Sequence, residues 1–166
     1  MENLEEIVKR IKNDDEEAFE ELYRETVRYL YAIIYPCLLS KEDTEDVIQN
    51  TYMKVYSVRK RIKSEKYILA YMKRIAISYA MRTLKKRKRF NANIADSNEN
   101  YEIKELINLS LEKLDPQDRL IVTLFYMEDS SIKEISFLTG IPANTVKTRL
   151  FRARMKLREV IKNELI

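Results

Sequence analysis

The sequence predicts an all-α protein of two small helical domains joined by a flexible linker, and three observations carry that prediction. Among 166 residues there are one glycine, three prolines and no tryptophan, too few turn formers for a β-rich chain. Apolar residues recur at helical spacing along nearly the whole length, with serine or aspartate where helices would begin. Residues 90–102, FNANIADSNENYE, interrupt the pattern with four asparagines and few large apolar side chains. Such a composition cannot bury enough surface to fix the chain. The expected division is therefore 1–89, a linker at 90–102, and 103–166.

Leu4, Ile7, Val8 and Ile11 give a short amphipathic helix over residues 3–12. Asp14 with Glu17 is the cap signature of the next helix. Its stripe is Ala18, Phe19, Leu22, Tyr23, Thr26, Tyr29, Leu30 and Ile33, and Pro36 should kink or end it. Ser40 with Asp43 opens a third helix reaching Val58, with Val47, Ile48, Thr51, Tyr52, Val55 and Val58 inside. Its other side aligns Glu42, Asp46, Gln49 and Met53. A methionine within a stripe of acids and an amide fits a protein-binding surface; the same pattern also describes an ordinary polar helix face.

The charged run RKRIKSEK at 59–66 reads as a loop or frayed helix end, with Ser64 as candidate cap for a helix from Tyr67 to Lys88. That helix has a core stripe of Ile68, Met72, Ile75 and Tyr79, flanked by Tyr67, Tyr71, Arg74, Ser78 and Arg82. Rings interleaved with cations suit single-stranded nucleic acid, because bases stack on the rings, at about 1–3 kcal/mol per base, while cations neutralise phosphate. The alternative is that the tyrosines only complete the edge of the core. The helix then runs into Arg82, Lys85, Lys86, Arg87, Lys88 and Arg89 with no acid between them, a solvated helix end or a phosphate clamp.

Beyond the linker, Ile103, Leu106, Ile107, Leu111 and Leu114 resume helical spacing. Asp115 is the expected N-cap and Pro116 the first residue of a helix using Leu120, Ile121, Leu124 and Phe125. The last stretch, SIKEISFLTGIPANTVKTRLFRARMKLREVIK, is the most informative. Ser131 and Glu134 form a capping box, and Gly140, the only glycine, marks a left-handed C-cap. Pro142 sits where a second helix can open. That helix has Val146, Leu150, Ala153, Leu157 and Ile161 on one side, and Lys147, Arg149, Arg152, Arg154, Lys156, Arg158 and Lys162 over the rest. Two short helices about a tight turn are the helix-turn-helix pattern. Asn144, Thr145, Thr148, Arg149 and Arg152, opposite the stripe, are placed to reach base edges in a major groove; a merely solvated basic helix is the competing reading.

The net charge of +4 is modest but unevenly spread, with eight acids in residues 1–20 and basic clusters at 82–89 and 147–162. Two separated basic clusters suggest two contacts with a polyanion. The single cysteine, Cys37, excludes an intramolecular disulfide and reads as a small buried hydrophobe. With no histidine, the commonest general base and metal ligand are missing. No apolar run approaches the ~20 residues of a membrane span, and the acidic start is no signal peptide. A cytoplasmic protein with no catalytic residues, no metal, no cofactor, no small-molecule substrate and no membrane insertion is expected.

The chain resembles the extracytoplasmic-function (ECF) sigma factors, the compact two-domain branch of bacterial sigma factors. Glu17-Ala18-Phe19 through Leu22-Tyr23 is similar to the opening of sigma region two. Thr44 to Thr51 resembles the family's A-E-D-L-V-Q-E-T helix, and Ala70-Tyr71-Met72 with Arg74-Ile75-Ala76 its A-W-L-x-R-I-A helix. Leu114 through Arg119 resembles the L-P-x-x-x-R start of region four, and Gly140 to Arg154 the signature G-x-x-x-x-T-V-K-S-R-L-x-R-A-R. Three departures stand out: Tyr71 replaces a tryptophan, Ser78 a common asparagine, and Asp115 splits the leucine-proline pair.

The resemblance implies that region two binds core RNA polymerase, with Asp46 and Gln49 at matching positions and Glu42 and Met53 on the same stripe. It implies that region two also reads and opens the minus-ten promoter element, capturing a flipped base near the loop before the tyrosine helix. Region four is implied to read the minus-thirty-five element with the helix from Pro142 and to dock on the polymerase flap. An anti-sigma partner, frequently membrane-bound, is common in the family. The site residues expected for DNA are Tyr67, Tyr71, Arg74, Ser78, Arg82, Lys85 and Lys86 in the first domain, and Asn144, Thr145, Lys147, Thr148, Arg149, Arg152 and Arg154 in the second. The competing readings are a stand-alone helix-turn-helix regulator and a sigma-like interaction module without melting activity.

Overall fold

The computed structural model describes residues 4–90 and 110–164. Its elements are α1 (Leu4–Lys12), α2 (Glu16–Leu38), α3 (Lys41–Val58), two 3₁₀ turns at Arg59–Arg61 and Glu65–Tyr67, α4 (Ile68–Phe90), α5 (Pro116–Tyr126), α6 (Ile132–Thr139) and α7 (Ala143–Glu164). The described residues contain no strand. The expected linker falls outside them, except that Phe90 closes α4; the same holds for most of the helix expected over 103–114.

The helix ends follow local chemistry, with some shifts of register. The cap of α2 is Asp15, not Asp14: Asp15 Oδ1 accepts the Ala18 N–H at 3.1 Å. Asp14 is left at φ 62 because the N–H groups of Asp14 and Asp15 close the end of α1 on Ile11 and Arg10 carbonyls. Pro36 does not end α2. The helix runs two residues further, to Leu38, and is capped by Leu39 at φ 47, whose N–H reaches the Tyr35 carbonyl at 2.8 Å. Ser40 caps α3 as expected, accepting from the Asp43 N–H. Ser64 stands at the start of a 3₁₀ turn without capping it, and Asp115 precedes Pro116 without a side-chain cap bond. Ile161 is exposed, so the inner stripe of α7 ends at the half-buried Leu157.

Ile7, Val8 and Ile11 of α1, Leu22, Leu30, Ile33, Ile34 and Leu38 of α2, Val47, Ile48 and Val55 of α3 and Ile68, Met72 and Ile77 of α4 form the N-terminal core. Leu120, Ile121 and Leu124 of α5, Ile135 of α6 and Val146, Leu150 and Ala153 of α7 continue it without a break. The continuity comes from α5. Every residue from Asp118 to Leu124 is buried, and a helix covered all round must have neighbours on every side. It packs on α2 as well as on α6 and α7, and α6 also meets α4.

Polar contacts cross the same seam. The buried guanidinium of Arg119 donates to the Cys37 carbonyl at 3.0 Å and the Leu114 carbonyl at 2.7 Å. Tyr29 donates to Glu128 at 2.5 Å, and Lys73 lies 3.4 Å from the same carboxylate.

Candidate nucleic-acid and protein interfaces

The helix-turn-helix is built by its own residues. Ser131 Oγ accepts the Glu134 N–H at 3.2 Å, while Glu134 Oε2 accepts the Ser131 N–H at 2.7 Å. Each satisfies an otherwise orphaned donor at the start of α6, and the bond from the Ser131 N–H, with the Ser131 hydroxyl beside it, holds the Glu134 carboxyl below its ordinary value. Gly140, at φ 72, ends α6 with its N–H on the Ser136 carbonyl at 2.9 Å. The Thr139 hydroxyl accepts the Ile141 N–H, and α7 opens with the Val146 N–H on the Pro142 carbonyl.

Val146, Leu150 and Ala153 face inward, leaving Asn144, Thr145, Lys147, Thr148 and Arg152 exposed. Arg149 behaves differently from expectation. It lies on the flank of the stripe, half-buried, and donates to buried Asp118 of α5 at 2.7 Å. Arg154 is exposed but lies over the rings of Phe125 and Tyr126, at 5.4 and 5.7 Å.

Tyr67, in the 3₁₀ turn just before α4, is 61% exposed, and Tyr71 on α4 is 38% exposed. Neither completes the core; Ala76, Ile77 and Ala80 do that, with Ile75 and Tyr79 half-buried beside them. Ser78, Lys85 and Lys86 are exposed, and Arg82 lies 5.5 Å from the Tyr79 ring centroid. The Arg74 guanidinium stacks 4.3 Å from the Phe137 ring of α6. A cleft of about 1370 Å³ separates α4 from the C-terminal helices, and Arg74, Ser78, Arg82, Lys85 and Arg149 all line it. Residues from both expected DNA-binding surfaces are thus gathered around one cleft.

The third surface is the outer face of α3. Glu42, Asp46, Gln49 and Met53 are exposed, Met53 by 63%. Beside them is an aromatic groove between α2 and α3, lined by Phe19, Tyr23, Val27, Tyr31, Gln49 and Met53, among others. Its floor is fixed by edge-on rings, Phe19 against Tyr56 at 5.2 Å, and by Tyr52, whose buried hydroxyl lies 2.6 Å from the Thr26 hydroxyl. Burial pushes the Tyr52 phenol up to about 12.

Sequence reasoning placed Tyr23 in the core, whereas it is 46% exposed. The overlooked signal was Tyr23, Val27 and Tyr31 at four-residue spacing, a second apolar line beside the inner stripe. Sequence reasoning makes 59–66 a loop or frayed end and Tyr67 a DNA-binding residue, but does not single out the exposed Arg61, Lys63 and Lys66 beside it.

Residues 5–90 match the family model "Sigma-70 region 2" and residues 104–157 match "Sigma-70, region 4". The chain is an ECF sigma factor of the sigma-70 family. It is similar to the ECF RNA polymerase sigma factor SigW of Bacillus subtilis, 23% identical with 94% of this chain and 95% of the relative covered. It is 28% identical to an RNA polymerase sigma-E factor of Streptomyces avermitilis, covering 73% and 72%. Among solved structures, the sigma factor RpoE bound to the anti-sigma factor NepR from Bartonella quintana aligns with a TM-score of 0.70 and 19% identity, over 87% of this chain and 96% of that one. CnrH bound to the cytosolic domain of CnrY aligns at 0.66 and 17%, over 96% and 97%. As a sigma factor the chain is not an enzyme: it binds core RNA polymerase and directs initiation at particular promoters. Among the described residues no helix is long and apolar enough to cross a membrane.

Proposed function

We propose that this sigma factor divides its work between residues 1–89 and 103–166, across the linker 90–102. Glu42, Asp46, Gln49 and Met53 meet core polymerase. Tyr67, Tyr71, Arg74, Ser78, Arg82, Lys85 and Lys86 take the minus-ten element as a separated strand. Asn144, Thr145, Lys147, Thr148, Arg149, Arg152 and Arg154 read the minus-thirty-five duplex. The observation that carries this reading is the exposed ring-and-cation flank of α4 in the same chain as a capped helix-turn-helix. A stacked base replaces the few kcal/mol that flipping costs, so strand separation is favoured without any chemical step.

The protein works in the cytoplasm with promoter DNA. The aligned RpoE structure holds an anti-sigma factor, and such a partner is the natural candidate for holding this factor inactive. The test is transcription in vitro with core polymerase on a genomic promoter library. Specific starts are expected from promoters that core alone leaves silent, and Tyr71→Ala should abolish strand opening while sparing core binding. Failure to co-purify with core at low salt would leave a duplex-binding regulator.

A further inference from the structure

We propose that the last turn of α1 is a positioning strut for the loop between α3 and α4, and that Lys12 and Asp14 set how this loop meets the separated DNA strand. The proposal rests on the reading of the α4 flank as the strand-binding surface. The loop is clasped at both ends, by the last residue of α1 and by the turn that follows it. At its entry, Asp14 Oδ1 accepts from Arg59 Nε and Nη2 at 2.9 and 2.6 Å, and Asp14 Oδ2 pairs with Lys60 Nζ at 2.8 Å. At its exit, Lys12 Nζ donates to Glu65 Oε1 at 2.5 Å. Between the two clasps Ile62 is half-buried against the core.

The strut is itself anchored. Ile7, Val8 and Ile11 are buried, and Arg10 holds Asp15 and Glu21, each at 2.9 Å. The hydrogen bonds from Lys60 and Arg59 keep the Asp14 carboxyl below its ordinary value, and that from Lys12 does the same for Glu65.

The loop requires outside help. RKRIKSEK carries five cations and one acid, so its own charges repel. Asp14 pairs with two of the cations, Arg59 and Lys60, and Arg59, so held, lies 4.1 Å over the Tyr56 ring. Lys60 stays exposed despite its pairing, and Arg61, Lys63, Lys66 and Tyr67 are exposed without a bond to Asp14, shortly before Tyr71 and Arg74. Cations beside a ring are the chemistry of single-strand capture, and their placement depends on Lys12 at the end of α1 and Asp14 in the turn that follows it.

The experiment uses the full chain with core polymerase on a promoter recovered from the library. Lys12→Glu and Asp14→Asn are compared with the charge-swapped pair Lys12→Glu, Glu65→Lys; asparagine tolerates the positive φ of position 14. Each single change is expected to lower permanganate reactivity of minus-ten thymines by about two- to fivefold, the range that partly exposed ion pairs supply. It should also flatten the preference among single-base minus-ten variants, while core affinity and the response to minus-thirty-five changes stay as in the wild type. The swapped pair should recover both. An unaltered minus-ten preference in the single variants, or no recovery in the swapped pair, overturns the proposal. A wild-type holoenzyme that opens no promoter removes the underlying functional reading, and the proposal with it, before any variant is made.

Discussion

Arg149 is held by a residue 31 positions away, and this changes what its removal would do. In Arg149→Ala the buried Asp118 loses its partner, so a stability loss of about 1–3 kcal/mol is expected by denaturant unfolding, apart from any loss of DNA reading. The double variant Asp118→Asn, Arg149→Ala separates the two effects. It should regain most of the stability while discrimination at the minus-thirty-five element stays lost; discrimination that returned with stability would make Arg149 a structural residue only. Cys37 presents a simpler case. Its thiol is fully buried and burial pushes it up to about 12. A thiol reagent near neutral pH should leave the native chain unlabelled and label it fully in denaturant; fast native labelling would show that the α2–α5 seam opens readily.

At the scale of single elements, the sequence was most legible where partners are close along the chain. Ser131, Glu134 and Gly140 announced α6 because a capping box and a left-handed C-cap are settled within a few residues. The cap of α2 slipped by one position because two adjacent aspartates offer the same side chain, and only the closure of α1 chooses between them. Asp118 and Arg119 concealed the burial of α5, since polar residues read as surface when their partners are unknown. Arg149 was read as free for the same reason. A Cβ at Gly140 would meet nothing within 4 Å, yet φ is 72 there. Gly140→Ala should therefore cost only the left-handed backbone penalty, about 1–2 kcal/mol, with asparagine costing less; equal losses for the two would point to packing. Glu134 adds a pH signature. Its folded value lies below the ordinary 4.5, so its contribution is complete above that value and disappears as pH falls through the lowered one. The stability gap between wild type and Glu134→Gln should close over that acidic window in denaturant titrations.

At the scale of the whole molecule, the two family regions share one continuous core, which predicts a single cooperative unfolding transition for the free chain. Two resolved calorimetric steps in the wild type would mean that the seam is not formed in solution. Removing the seam's polar ties, Arg119→Ala with Glu128→Ala, should split the transition and enlarge the radius of gyration seen by X-ray scattering. The seam also engages Arg74 with Phe137, so a strand that claims this guanidinium must displace a ring of the chain's own C-terminal half. Free factor should accordingly bind single-stranded minus-ten DNA more weakly than the Phe137→Ala variant does.

A helix kept dry on every side from Asp118 to Leu124 cannot be turned loose alone. If joining the copying machinery draws the halves apart, it must offer the face of α5 that now lies on α2 another seat.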